Sequence, residues 1–172
     1  MNYVICYTRP EPVHFPSHVL LVRKLRPAWQ VGKYNLPGGK IEEDETIHEA
    51  AVRELYEETN IKADHVRIMG TIEAEDCIVY VCECTYDVSD SGNDAASMTD
   101  ECVLWMPLTD ALRDPLLIDN LRIVIPFCFA QLTGWHVRTA ENGFCPTQTQ
   151  ITFEEKNEET DLPKPLFFGP VG

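Results

Sequence analysis

Three glutamates in the first half of the chain, Glu54, Glu57 and Glu58, stand at spacings that would place them on neighbouring turns of one helix. Carboxylates this close repel one another and lower helix stability. The repulsion is aggravated in the second half of a helix, where the helix dipole disfavours anions. We therefore expect a cation to offset it. Carboxylate oxygens are ligands that Mg²⁺ and Mn²⁺ prefer, and these ions also bind substrate phosphates.

Residues around these glutamates could complete such a site. Arg53 is an internal counter-ion that can orient a carboxylate, and Gly38-Gly39 allows a close turn whose backbone carbonyls could fold back toward the helix. Basic residues are concentrated just before the acidic stretch or at its start, where they could bind a small phosphate-bearing substrate. They are Arg23, Lys24, Arg26, Lys33 and Lys40. The alternative interpretations are that these charged residues are simply solvated and that Gly38-Gly39 is an ordinary turn.

The overall charge narrows the choice of partners. The chain has 14 basic and 28 acidic residues and a net charge of −14, so we expect no non-specific nucleic-acid binding, which requires Lys and Arg to neutralise phosphates. No segment approaches the roughly eighteen apolar residues of a membrane span. The first residues, "MNYVICYTRPEP", lack the features of a signal peptide. We expect a cytoplasmic protein whose seven cysteines are small apolar residues rather than zinc ligands.

The helix and strand patterns indicate a mixed α/β domain. Apolar runs predict strands at "NYVICYT", "HVLLVRK", "VRIMGTIEA", "CIVYVCECTY" and "CVLWMPL". A helix is predicted from about Thr46 to Thr59, with Val52 and Leu55 on its apolar side, and a second in "LIDNLRIVIPFCFAQLTG", kinked or started near Pro126. Beyond Gly134 we expect irregular structure. We predict a domain over residues 1–140 and a partly disordered tail over 141–172.

The spacing of the acidic segment matches a known motif. The pattern is Gly39, then Glu45 after five intervening residues, then "RELYEETNI" from Arg53 after seven more, and it resembles the Nudix box of the Nudix hydrolases. A basic strand before the box and "ECVLWMPLTDAL" after it extend the likeness to roughly residues 1–135. Asn60 stands where the family has Gly, at a small expected cost because Asn tolerates a left-handed helix cap. The resemblance implies a Nudix-type α/β/α sandwich with a mixed sheet between helices.

The resemblance also implies roles for individual residues. Glu57 and Glu58 would be the principal Mg²⁺ ligands together with the carbonyl of Gly38, and Mn²⁺ could substitute. Glu54 would bind metal or act as the base that activates water. Arg53 would hold a glutamate in place. These residues are the predicted catalytic and metal-binding set of the box.

Residues outside the box complete the predicted site. Family members often take the base from a later loop, so Glu101 is a candidate, with Asp100 as its alternative. Asn120, beside Asp119, is similar in position to the base-recognising segment of the family's oxidised-nucleotide sanitisers, although such residues also cap helices. Arg23 and Lys40 are the predicted phosphate-binding residues. The terminal "PLFFGPV" raises the hypothesis of a homodimer.

The implied activity is that of a Mg²⁺-dependent pyrophosphohydrolase. It would cleave a (d)NTP, or a nucleoside diphosphate linked to another group, and release a mononucleotide. Three alternatives stay open. RNA 5′-end decapping is the same chemistry on a larger substrate and suits the acidic chain poorly. A non-catalytic Nudix-fold nucleotide sensor would usually have lost box carboxylates, and an isomerase of the diphosphate type would have a less faithful box.

Overall fold

A computed structural model describes the protein over residues 1–11, 17–74, 76–89, 95–139, 149–156 and 163–167. Within these ranges the chain forms strands β1 (Asn2–Glu11), β2 (His18–Arg23), β3 (Tyr34–Asn35), β4 (Gly38–Lys40), β5 (His65–Ala74), β6 (Cys77–Asp87), β7 (Cys102–Pro107), β8 (Trp135–Arg138), β9 (Gln150–Lys156) and β10 (Pro163–Phe167). The α-helices are α1 (Ile47–Thr59), α2 (Leu108–Arg113) and α3 (Leu121–Phe129).

The strands form two sheets. The larger has the order β10-β9-β8-β5-β6-β1-β4, and the smaller has the order β3-β2-β7. The larger sheet is mixed, because β1 pairs parallel with β6 and β5 pairs parallel with β8, whereas its other neighbours are antiparallel. This confirms the predicted mixed sheet.

Helices cover both sides of the layer that the two sheets form. On one face, Ala51 and Leu55 of α1 pack with Cys6 of β1, Leu20 of β2 and Cys82 of β6. The opposite face packs against α3. The apolar side chains of that second cluster include Ile5, Tyr7, Leu21, Met69, Val81, Leu121, Val124 and Ile125. The predicted α/β/α sandwich is therefore confirmed.

Helix α1 begins and ends at residues whose side chains favour those positions. Thr46 caps its N-terminus, because its hydroxyl accepts a hydrogen bond from the Glu49 backbone N–H and the Glu49 carboxylate accepts one from the Thr46 N–H. Asn60 ends the helix in the left-handed conformation, with φ of 62°. The bounds predicted for this helix are confirmed, and so is the conformation expected of Asn60.

The predicted apolar side of α1 was partly wrong. Val52 is exposed, whereas Ala50 and Glu58 are buried. The buried stripe is centred on Ala51 and Leu55, and because successive helix residues are about 100° apart, Val52 is rotated toward solvent. Glu58 is rotated toward the sheets, although it carries a charge.

The expectation of irregular structure beyond Gly134 missed three strands. In β8, the alternating residues Trp135 and Val137 are buried against α3, and the strand joins β5 to β9. A strand of four residues is too short to give a clear period-two pattern in the sequence. Residues 140–148 and 168–172 lie outside the described ranges, and the domain division at residue 140 stays a prediction.

The second predicted helix is shorter than its apolar segment. Residues 117–120 precede α3 and attach to β3, through a bridge between Tyr34 and Leu117. Pro126 lies inside α3. In the part of the chain that the structure describes, none of the helices combines the length and apolar character that crossing a membrane requires.

The cap of α1 provides a test of the fold. We expect Thr46→Ala to lower the free energy of unfolding by about 1 kcal/mol, because the N–H of Glu49 loses its acceptor. Thr46→Ser keeps the hydroxyl and should stay within a few tenths of a kcal/mol of wild type. Urea unfolding followed by circular dichroism measures both. Equal destabilisation by the two substitutions would show that the hydroxyl is not the stabilising group.

Candidate active site

The three box glutamates lie on the last two turns of α1 and differ in exposure. Their side chains are 14% exposed for Glu54, 57% for Glu57 and 12% for Glu58. Burying a carboxylate is costly unless it is paired and hydrogen-bonded. Glu54 and Glu58 therefore depend on the cations and N–H groups that surround them.

Arg53 supplies one of these cations. Its Nε and Nη2 donate to the two carboxylate oxygens of Glu45, each at 2.7 Å, and such a bidentate pair fixes the guanidinium plane. Its Nη1 then donates to Glu54 at 2.8 Å and to Glu57 at a longer 3.4 Å. The hydrogen bond from Arg53 lowers the pKa of the Glu45 carboxyl below its ordinary value. The arginine thus links the loop before α1 to two of the box glutamates.

The Gly-Gly pair brings β4 against these carboxylates. The Gly38 backbone N–H donates to Glu58 Oε2 at 3.0 Å. Gly38 has φ of 151°, and a Cβ there would collide with the Val4 carbonyl of β1. A Cβ on Gly39 would collide with the Glu54 carboxylate. Glycine at both positions lets the strand approach the helix this closely.

Lys24 supplies the second cation, immediately after β2. Its ammonium donates to Glu58 Oε1 at 2.8 Å and to Glu101 Oε2 at 2.6 Å, and the Leu25 N–H donates to Glu101 Oε1 at 2.8 Å. Both acids and the lysine are buried. Burial alone would lower the pKa of Lys24, but the charge of Glu58 and the hydrogen bond to Glu101 raise it above its ordinary value. Burial raises the pKa of Glu58, although Lys24 opposes that shift.

From the sequence, Lys24 was identified only as one of five basic residues near the acidic stretch, and it was not predicted as a site residue. The alternation of side chains along β2 was the available signal. Leu20 faces α1, whereas Val19 and Leu21 face α3. Lys24 is an even number of residues after Leu20, so its side chain lies on the same side of the strand, toward the carboxylates. Arg23 continues the row of Leu21, so the predicted phosphate-binding residue lies on the other side of the strand and is exposed.

The remaining predicted residues lie at varying distances from this cluster. Glu101 is brought to Glu58 through Lys24, whereas Asp100 is exposed and pairs with Arg26 at 3.5 Å. The Lys40 side chain is exposed, and its backbone carbonyl accepts from Arg53 at 3.0 Å. Asn120 occupies the N-cap position of α3 without a side-chain capping hydrogen bond. Asn120 therefore stands at the cap position expected by the alternative interpretation, but its side chain makes no capping bond.

The donors fit a hard divalent cation in chemical type. Glu54, Glu57 and Glu58 offer carboxylate oxygens along one edge of α1, and these are the residues that could hold Mg²⁺ or Mn²⁺. Among the described residues, no three His, Cys, Asp or Glu side chains already converge in a metal-holding group. The box carboxylates are bonded instead to Arg53 and Lys24. An ion bound among these carboxylates would therefore compete with Arg53 and Lys24 for their oxygens.

Comparison with known proteins identifies a family and relatives of this chain. A family model described as the NUDIX domain matches residues 5–126. The oxidized purine nucleoside triphosphate hydrolase of Danio rerio is 43% identical over 60 residues, which are 35% of this chain and 38% of that protein. The 8-oxo-dGTP diphosphatase of Escherichia coli (strain K12) is 37% identical over 59 residues, 34% of this chain and 46% of that protein. The matched part thus spans less than half of either relative.

Solved structures agree on the fold. The mutator MutT protein from Bacillus halodurans superposes with a TM-score of 0.64 at 18% identity, over 81% of this chain and 88% of that one. The NUDIX domain of Shewanella oneidensis NrtR, in complex with ADP ribose, superposes with a TM-score of 0.60 at 25% identity, over 77% of this chain and 88% of that one.

The Glu45–Arg53 pair generates a prediction with a defined pH dependence. Because the folded-state pKa of Glu45 is lowered, its contribution to stability is present above the unfolded-state pKa, near 4.5, and is lost as the pH falls through the folded-state value. We expect Glu45→Gln to lower the free energy of unfolding by about 1 kcal/mol at neutral pH. The difference from wild type should shrink as the pH falls below 4.5.

Urea unfolding at a series of pH values measures this difference. Glu43→Gln is the matched control, since Glu43 is an exposed acid in the same loop and its substitution makes the same change of charge. A Glu45→Gln deficit that stays constant down to strongly acidic pH would contradict a charge-dependent contact.

Proposed function

The chain belongs to the NUDIX domain family, and from this membership and the geometry of its carboxylates we propose that it is a metal-dependent hydrolase of nucleotide diphosphate bonds. The products would be a mononucleotide and pyrophosphate or a phosphorylated remainder. Mg²⁺ would be the resident ion, with Mn²⁺ as a substitute. The proposal includes a cytoplasmic location, in keeping with the six free thiols among the described residues.

The observation that supports it best is the convergence of acids from two parts of the chain. Glu101, which precedes β7, meets Glu58 of α1 at the same buried ammonium of Lys24. Glu54 and Glu57 of the same helix are linked by the guanidinium of Arg53. A purely structural cluster would not need three carboxylates on two turns of one helix, since each adds repulsion. A site that neutralises a polyphosphate does need them, because they hold the divalent ion that the phosphates require.

In the proposed reaction, a bound divalent ion would neutralise phosphate charge and favour attack by water at phosphorus. Glu54, Glu57 and Glu58 would hold that ion. Arg53, fixed by Glu45, would keep Glu54 oriented toward β4. Glu101 would accept the proton of the attacking water, because its carboxylate is already held near Glu58 by hydrogen bonds to the Leu25 N–H and Lys24.

The proposed substrate is a purine nucleoside triphosphate, including oxidised forms. The activities for which two relatives are named support this class. The position of Asn120 supports the same class. Its half-buried side-chain amide makes no hydrogen bond within the described ranges, so it is available to bind the edge of a base. The adjacent Leu117 is buried and continues the sheet beyond Tyr34, so this segment could form one wall of a base pocket.

A panel of nucleotides tests the activity. Purified full chain with Mg²⁺ should hydrolyse canonical or oxidised purine (d)NTPs, read by chromatography as release of mononucleotide. The panel includes sugar nucleotides, ADP-ribose, NADH, dinucleoside polyphosphates and capped RNA. Turnover confined to capped RNA would favour the decapping alternative. Silence across the whole panel would contradict hydrolysis and favour a nucleotide sensor.

A substitution of a metal-binding candidate tests the site. We expect Glu57→Gln to lower kcat by about 100-fold or more, because a ligand to the charge-neutralising ion is lost. The thermal unfolding midpoint should hardly change, since Glu57 is exposed. Glu43→Gln removes the same charge from an exposed loop position and should retain full turnover. Near-normal kcat in Glu57→Gln would show that the reaction occurs elsewhere.

Base recognition is tested separately at Asn120. We expect Asn120→Ala to raise KM for the preferred purine triphosphate by about tenfold, the equivalent of about 1.4 kcal/mol, with little change in kcat, because hydrogen bonds to the base would be lost. Asn120→Asp, of similar size, should change the ranking among purine bases because the donor becomes an acceptor. Unchanged KM and ranking in both variants would remove Asn120 from the base pocket.

A further inference from the structure

Lys24 stands out among the basic residues near the site, because it is buried and bonded to acids from two different elements. Its ammonium lies 2.8 Å from Glu58 Oε1 and 2.6 Å from Glu101 Oε2. The other oxygen of each acid is held by a backbone N–H, from Gly38 and from Leu25. Each oxygen of both carboxylates thus accepts a hydrogen bond in the structure, with Lys24 at their junction.

The charges at this junction do not balance. Two carboxylates face one ammonium, which leaves one negative charge in a buried place, whereas one divalent ion would balance both acids. Glu58 is a proposed ligand of the ion, and an ion bound at its Oε1 on the side that faces Glu101 would need the space that the ammonium now fills. Since Mg²⁺ holds its oxygens at about 2.0–2.1 Å, the two cations cannot share that position.

Displacing the ammonium carries a cost that depends on the ligand. A buried ammonium that loses its acids is strongly destabilised unless it finds another anion. A substrate polyphosphate supplies such an anion, because a phosphate oxygen is a good acceptor for a lysine ammonium. With no nucleotide present, the described residues offer Lys24 no other carboxylate contact than Glu58 and Glu101.

We propose that Lys24 couples metal binding to nucleotide binding, by occupying the carboxylates in the free protein and passing to a phosphate when the nucleotide and the divalent ion bind together. This inference rests on the proposed function. It makes Lys24 a positioning residue for the site and an internal competitor of the metal. By thermodynamic linkage, nucleotide must strengthen metal binding by the same factor by which metal strengthens nucleotide binding.

Calorimetric titration of the full chain with Mn²⁺ tests the coupling, with and without a non-hydrolysable α,β-methylene purine triphosphate. In wild type we expect the nucleotide analogue to raise Mn²⁺ affinity about tenfold or more. In Lys24→Met the Mn²⁺ affinity of the nucleotide-free protein should rise severalfold. The analogue should then change the Mn²⁺ affinity of this variant very little. Lys62→Met, which removes an exposed lysine that follows α1 and was not assigned to the site, is the matched control and should behave as wild type.

The outcomes separate this inference from the proposed function. If wild type hydrolyses nucleotides and binds Mn²⁺, but Lys24→Met binds Mn²⁺ no more tightly without nucleotide, the coupling role is overturned and the hydrolase assignment stands. If wild type shows neither Mn²⁺ uptake nor turnover, both are overturned.

A measurement on wild type covers the case in which Lys24→Met fails to fold. In lysine-¹⁵N-labelled protein, the Lys24 ammonium should give a signal protected from solvent exchange, because it is buried between two acids. Mg²⁺ with the analogue should shift that signal, whereas Mg²⁺ alone should shift it much less. A signal that stays unchanged when both ligands are bound would overturn the proposal.

Discussion

Repulsion among buried and half-buried carboxylates is the constraint on which the rest of this site depends. Glu54 and Glu58 are largely removed from water, and Glu101 is buried beside Glu58. Two cations make this arrangement tolerable in the folded chain. Arg53 binds the outer edge of the cluster, and Lys24 binds its inner end. Every other element near the site holds one of these five groups in place. The clustered acids therefore lower the stability of the fold. A protein with no ligand for these acids would have no need of them.

The fold supplies these groups from elements that are distant in sequence. The caps at Thr46 and Asn60 set where α1 begins and ends, and Ala51 and Leu55 fix which edge of the helix faces β4. Glycines at the start of β4 allow the strand to lie against the carboxylates. The smaller sheet then brings β2 beside β7, which places Lys24 next to the segment that carries Glu101. The site is thus formed where α1 meets the edges of both sheets.

The sequence predicted the parts of this arrangement that local patterns determine. The bounds of α1, the left-handed conformation at Asn60 and the α/β/α sandwich followed from helix periodicity, capping chemistry and the family resemblance. The contacts of Lys24 could not be predicted, because they join residues 34 and 77 positions apart and depend on how two sheets pack. The exposure of Val52 was missed for a related reason, since tertiary packing decides which of several apolar residues are buried. Strand β8 was missed because four residues give no clear period-two pattern.

In the proposed function, the box carboxylates bind a divalent ion together with the phosphates of a nucleotide. Crystals of the full chain grown with Mn²⁺ and a non-hydrolysable purine triphosphate would test it most directly, through anomalous scattering from manganese. We expect an anomalous peak in contact with carboxylate oxygens of Glu54, Glu57 or Glu58 and with phosphate oxygens of the analogue. An ordered nucleotide with no manganese beside these carboxylates, or with manganese bound only elsewhere, would contradict it.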